Sequence, residues 1–129
     1  MTEYLDLEDL LAAAEAAIGR PARVRDIGLL QAGVARPQVT VVGEDAYPTL
    51  DGKAAALLHS IVSGHPLIDG NERLGWVAVR LFYRLNGEDV RPAADEAFDL
   101  VVRIAGGELD DVAAITAHLR SWRAPGEVG

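Results

Sequence analysis

The chain has 129 residues, half of them apolar and none of them cysteine, and 12 Lys+Arg against 20 Asp+Glu give a formal charge of −8. That length fits a single domain, residues 1–129, with apolar surface enough for a core, and the missing thiols remove disulfides, zinc–thiolate sites, iron–sulfur clusters and thiol nucleophiles. An acidic surface repels phosphate backbones, which argues against a general nucleic-acid binder, and no apolar run approaches the roughly 20 residues that cross a bilayer.

The start, MTEYLDLEDL, is acidic and lacks the basic region of a signal peptide, so a cytoplasmic protein is expected. From Asp6 to Gly19, Leu7, Leu10, Leu11, Ala14 and Ile18 recur at helical spacing, with Asp6 as N-cap and Gly19 and Pro21 as the stop. Ile27–Val34 follows Asp26 as a short capped helix. Pro37–Pro48 then reads as an exposed loop or small hairpin, a flap carrying the β-branched run Val39-Thr40-Val41-Val42. Leu50–Ser63 places Ala54, Leu57, Leu58, Ile61 and Val62 on one helix face, with Gly64 as C-terminal cap and Pro66 forcing His65 out of the helical region. The next helix, Asn71–Leu85, turns Leu74, Val77, Ala78, Leu81, Phe82 and Leu85 inward. Ala93–Ala105 is expected to bury Phe98, Val101, Val102 and Ala105, and Asp110–Trp122 to bury Val112, Ile115, Thr116 and Leu119. The fold is all-α, with connections short enough for antiparallel neighbours.

The stretch that carries chemistry is His65-Pro66-Leu67-Ile68-Asp69-Gly70-Asn71-Glu72-Arg73. A His and an Asp lie on a short loop feeding a helix N-terminus, where unpaired N–H groups and the positive end of the dipole attract anions. Gly70 lets backbone approach a ligand closely, and Asn71 can cap the helix or reach a phosphate oxygen. Arg73 opposes the dipole in an empty protein, by about 0.3–1 kcal/mol, and an anionic ligand reverses that sign. Arg73, Arg80 and Arg84 also share one helical stripe. Each residue has a plainer reading: Asp-Gly-Asn is a common turn and cap sequence, and arginines on a polar helix face are usually solvated. Packed together between two strong helices, they favour an anion-binding catalytic loop. His59 and His118 read as surface or packing residues.

This segment resembles the signature of the Fic/Doc superfamily, roughly His-x-Phe-x-(Asp/Glu/Asn)-(Gly/Ala)-Asn-(Gly/Lys)-Arg, and its Doc (death-on-curing) branch in particular. Arg25–Leu30, Ala35–Gln38, Gly43–Leu50 and Leu81–Gly87 resemble the branch on either side of it, so the likeness covers nearly the whole chain. It implies a compact bundle of about six helices with an extended flap before the central pair. It also implies His65 as general base toward a target hydroxyl, Asp69 holding Mg2+ or orienting the nucleophile, and Gly70, Asn71 and Arg73 on nucleotide phosphates. The implied activity is a Doc-type toxin, a kinase that transfers phosphate from ATP to a hydroxyl of elongation factor Tu and halts translation, neutralised by a small antitoxin whose disordered C-terminus folds into a groove. Trp76 stands where Fic-type motifs carry a second Arg, which favours the Doc side over nucleotidyl transfer (AMPylation), and Thr40–Glu44 only faintly matches the inhibitory glutamate motif of some Fic proteins. Leu67 replaces the motif Phe, and Glu72 replaces the Doc-type Lys, turning attraction for phosphate into repulsion while favouring the dipole. A weakened kinase, or a non-catalytic binding module for an antitoxin, is the alternative this substitution implies.

Overall fold

The computed structural model describes residues 1–126, and among them six α-helices carry the fold. Helix α1 (Leu7–Ile18) opens on a capping box, in which Asp6 accepts from the Asp9 N–H at 2.8 Å and Asp9 from the Asp6 N–H at 2.9 Å. It ends on Gly19 in the left-handed conformation, φ 83°. Helix α2 (Ile27–Ala35) is capped by Asp26 and runs into a 3-10 turn, Arg36–Gln38. The flap is a small hairpin, β1 (Thr40–Val41) against β2 (Glu44–Asp45), with Val42 and Gly43 at its tip. Helices α3 (Leu50–Gly64) and α4 (Asn71–Leu85) follow, then β3 (Glu88–Val90), α5 (Ala94–Ala105), α6 (Val112–Ser121) and β4 (Arg123–Pro125), which pairs antiparallel with β3.

Helix α3 is the centre of the molecule, packed by α2, α4, α5 and α6. It buries Ala55 and Ala56 as well as the expected Ala54, Leu57, Leu58, Ile61 and Val62, because it is apolar on nearly every side where neighbours cover it. Two buried polar residues of its first turns are satisfied. Asp51 accepts from the Tyr83 hydroxyl at 2.7 Å, and burial together with that bond pushes the Tyr83 phenol well above its ordinary range. The Lys53 ammonium donates to Asp45 at 3.0 Å and to the Tyr47 carbonyl, which fastens the flap base to the core.

Several inward expectations are corrected. On α4, Leu81 and Leu85 lie on the exposed side, while Val79 and Tyr83 are buried, since the Tyr83 hydroxyl must reach Asp51. On α5, Val101 is buried as expected, but Phe98 is 72% and Val102 44% exposed, and Ala97, Leu100 and Ile104 face inward instead. The cap of α3 is also one residue later than expected: the helix runs through Gly64, and His65 takes the left-handed conformation, φ 52° and ψ 57°.

Asp89 sits buried in β3. Burial alone would raise its carboxyl, but the Val90 N–H and the Arg91 and Arg80 guanidiniums outweigh that and hold it below the ordinary 3.8. A carboxylate depressed by folding contributes stability that is complete above its unfolded value and lost as pH falls through the folded one. The melting temperature should therefore drop below pH 3.8, and Asp89→Asn should flatten that acid limb; an unchanged limb would remove Asp89 from the account.

Candidate functional site

Two loops build the site. The first, Arg20–Asp26, joins α1 to α2; the second, His65–Gly70, joins α3 to α4. They run antiparallel and clasp each other through backbone: the Pro66 carbonyl accepts from the Arg25 and Asp26 N–H groups at 2.8 and 3.0 Å, and the Ile68 N–H donates to the Arg23 carbonyl at 2.9 Å. The Arg25 guanidinium adds bonds to the His65 and Gly64 carbonyls at 2.7 and 2.9 Å, placing a cation on the negative end of α3. His65 is exposed at the start of this loop, its backbone held on both sides while its ring faces solvent.

At the loop's other end, Gly70 is the N-cap of α4, again left-handed at φ 83°. A Cβ there would meet Ile18 Cδ1 at 2.7 Å, so glycine is demanded both by the conformation and by the closeness of α1. Leu67 fills the place of the motif Phe and is fully buried. Asn71 departs from expectation: it neither caps α4 nor faces outward. It is 7% exposed, accepting from the Leu67 N–H at 2.9 Å and donating to the Leu67 carbonyl at 3.0 Å, so its amide clamps the loop.

Asp69 is half-exposed, and one oxygen, Oδ2, accepts from Arg20 at 2.6 Å and Arg23 at 3.2 Å. The Arg20 hydrogen bond is the main reason its carboxyl lies below the usual range, against a smaller opposing effect of burial. Glu72 and Arg73, in the first turn of α4, are exposed, and neither has an ion pair among the described residues. Arg20, Asp69, Gly70, Glu72 and Arg73 rim one end of a groove of about 960 Å³. Its walls are apolar, drawn from Ile18, Trp76, Val77, Phe98, Val101 and Val102. Phe98 and Val102, expected inside, are thus the far wall of this groove. His65 is not among its lining residues; it flanks the rim from the start of the loop.

The loop therefore brings Asp69, Gly70, Glu72 and Arg73 to one rim, with His65 five residues upstream of Gly70 on the same clasped segment and Asn71 beneath it as support. Sequence reasoning missed Arg20, Arg23 and Arg25 as members of the site. Their contacts span 39 to 49 residues, and the arginine-rich spacing just after a helix stop was the one available hint. Of the other two histidines, His59 meets Asp110 at 2.7 Å and Arg36 at 3.4 Å, and His118 lies beside Trp122, so both are accounted for by packing and pairing. No three His, Cys, Asp or Glu side chains converge as a metal cage among the described residues. Nor is any helix among them long and apolar enough to cross a membrane.

The chain is 48% identical over 133 residues, covering the whole of both chains, to a protein of Mycolicibacterium smegmatis named "Toxin Doc". The Fic/DOC family matches residues 4–83, which take in α1, the flap, α3 and most of α4, and so both loops of the site. The chain belongs to the Fic/DOC family.

Proposed function

We propose that this protein is a Doc-type toxin of a toxin–antitoxin pair, transferring the γ-phosphate of ATP to a hydroxyl of a translation protein, elongation factor Tu by the resemblance. The observation that carries the reading is Arg73: a cation with no ion pair among the described residues, in the first turn of a helix capped by a glycine, in a chain of net charge −8. Such a cation is unfavourable in place unless an anion joins it. A nucleotide's phosphates meet Arg73, the Gly70 backbone and the first N–H groups of α4, which have no intrahelical acceptor.

His65 then accepts the proton of the target hydroxyl. The hydroxyl oxygen forms a bond to the γ-phosphorus, the bond from that phosphorus to the β–γ bridging oxygen breaks, and ADP leaves. Asp69 is the carboxylate that would hold Mg2+, a hard cation commonly bound by one or two carboxylates together with substrate phosphates. Bound there, the metal would neutralise charge developing on the phosphates. The apolar groove suits the antitoxin, whose C-terminal segment would lay an amphipathic helix against Trp76, Phe98 and Val102.

Glu72 favours a second reading. An acid on the phosphate rim weakens nucleotide binding, and a chain that retained the groove alone would be a non-catalytic antitoxin-binding module. Incubating the protein with ATP, Mg2+ and purified elongation factor Tu, then reading intact mass, separates the possibilities. A single added phosphate is expected. An added AMP would make the protein a nucleotidyltransferase, and an unmodified target alongside tight antitoxin binding would make it the binding module.

A further inference from the structure

We infer that Arg20 and Arg23 are polyphosphate-binding residues of this site: on nucleotide entry they exchange Asp69 for phosphate oxygens and replace the positive charge that Glu72 takes away from the first turn of α4. The inference rests on the nucleotide reading above and assigns it two residues outside the motif.

Both guanidiniums converge on the single oxygen Oδ2 of Asp69, yet their side chains remain 46% and 59% exposed. One carboxylate cannot neutralise two cations. Arg20 and Arg23 share Asp69, and Arg73 stands with Glu72 on the same rim, so these three cations are set against two carboxylates although the chain as a whole is strongly acidic. Exposed ion pairs of this kind are weak and readily exchanged. A polyphosphate offers several charges and pairs of oxygens that match the guanidinium fork, which makes it the stronger acceptor for both arginines.

Placement permits the exchange. Arg20 lines the groove rim together with Gly70, Glu72 and Arg73, so no backbone movement is needed to bring its side chain to an anion over the α4 N-terminus. The left-handed Gly19 sends the chain away from α1, and the clasp between the two loops fixes where Arg23 stands relative to Ile68 and hence to Asp69. Departure of the two guanidiniums also uncovers Asp69 Oδ2.

Calorimetric titration of the full chain with ATP, with and without Mg2+, tests this. Arg20→Gln/Arg23→Gln should weaken binding about ten-fold or more, as expected for the loss of charge-assisted contacts. Arg20→Lys/Arg23→Lys, which keeps the charge, should stay closer to wild type than the glutamine pair and guards against a folding artefact. Adding Glu72→Lys to the glutamine pair should restore most of the affinity, because charge at the rim is then supplied from α4. ATP binding unchanged in the glutamine pair would overturn the assignment, and failure of Glu72→Lys to rescue would overturn the compensation. A wild-type chain that binds and transfers phosphate while the glutamine pair does the same leaves the nucleotide reading standing and removes only the arginines. A wild-type chain that binds no ATP removes both.

Discussion

Replacing His65 by alanine is expected to abolish target phosphorylation and any growth arrest on expression, while leaving the fold intact. A positioned general base is worth about 10²–10⁴ in rate, so residual transfer should lie near or below 1%. The ring is exposed and its removal opens no cavity, so stability should hardly change. His65→Gly sharpens the test. A non-glycine residue at φ 52° carries a left-handed backbone cost of about 1–2 kcal/mol, which glycine relieves. Glycine's larger unfolded-state entropy offsets part of that gain. The glycine variant should therefore melt no lower than wild type and still be inactive, separating loss of chemistry from loss of fold. Transfer within a few-fold of wild type in either variant would remove His65 from the reaction.

The second large effect is expected at Gly75, where α4 crosses α3. A Cβ at this position would stand 2.5 Å from Val62 Cγ2 and 3.1 Å from Leu58 Cδ1, both fully buried. Both atoms are side-chain methyls, but each residue is fully buried and has little room to swing aside, so the added carbon pushes α3 and α4 apart. Overpacking of this kind costs about 1–3 kcal/mol, and Gly75→Ala should lower the melting temperature by roughly 4–10 °C. Val62→Ala alone leaves a cavity and is destabilising too. Combined, the two should cost clearly less than their sum, because the added methyl enters the space the valine vacates. Strict additivity in thermal melts would show that the two side chains do not compete for that space. Because Gly70 and Asn71 lie one turn upstream, Gly75→Ala should also weaken nucleotide binding if α4 shifts along α3.

How far the sequence could be read depended on whether a signal was local. Helix α4 ran from Asn71 to Leu85 as expected, since Gly70 and Asn86-Gly87 mark its ends within the segment itself. The Asp6 and Asp26 caps were legible for the same reason. Strands β3 and β4 were not: three residues each, more than thirty apart, they carry no periodicity, and only their pairing defines them. Periodicity also names an apolar stripe without saying what covers it. The stripe on α5 was right for Val101 and Ala105, and its surplus, Phe98 and Val102, became groove wall. At the site, Asp69, Gly70, Glu72 and Arg73 were readable because one loop holds them all. Asn71 was readable as important but not as a clamp, because its partner is the backbone of Leu67, invisible to any residue pattern. The arginines of the α1–α2 loop needed the fold to bring them across.

The clasp between the α1–α2 and α3–α4 loops has a consequence for affinity. Segments of irregular backbone ordinarily lose conformational freedom when a ligand arrives, and that loss opposes binding. Here the backbone bonds from Pro66 to Arg25 and Asp26, and from Ile68 to Arg23, order both segments when the chain folds. A ligand meeting this surface has side chains left to arrange and little main chain, so a larger share of its contact energy is expressed as affinity.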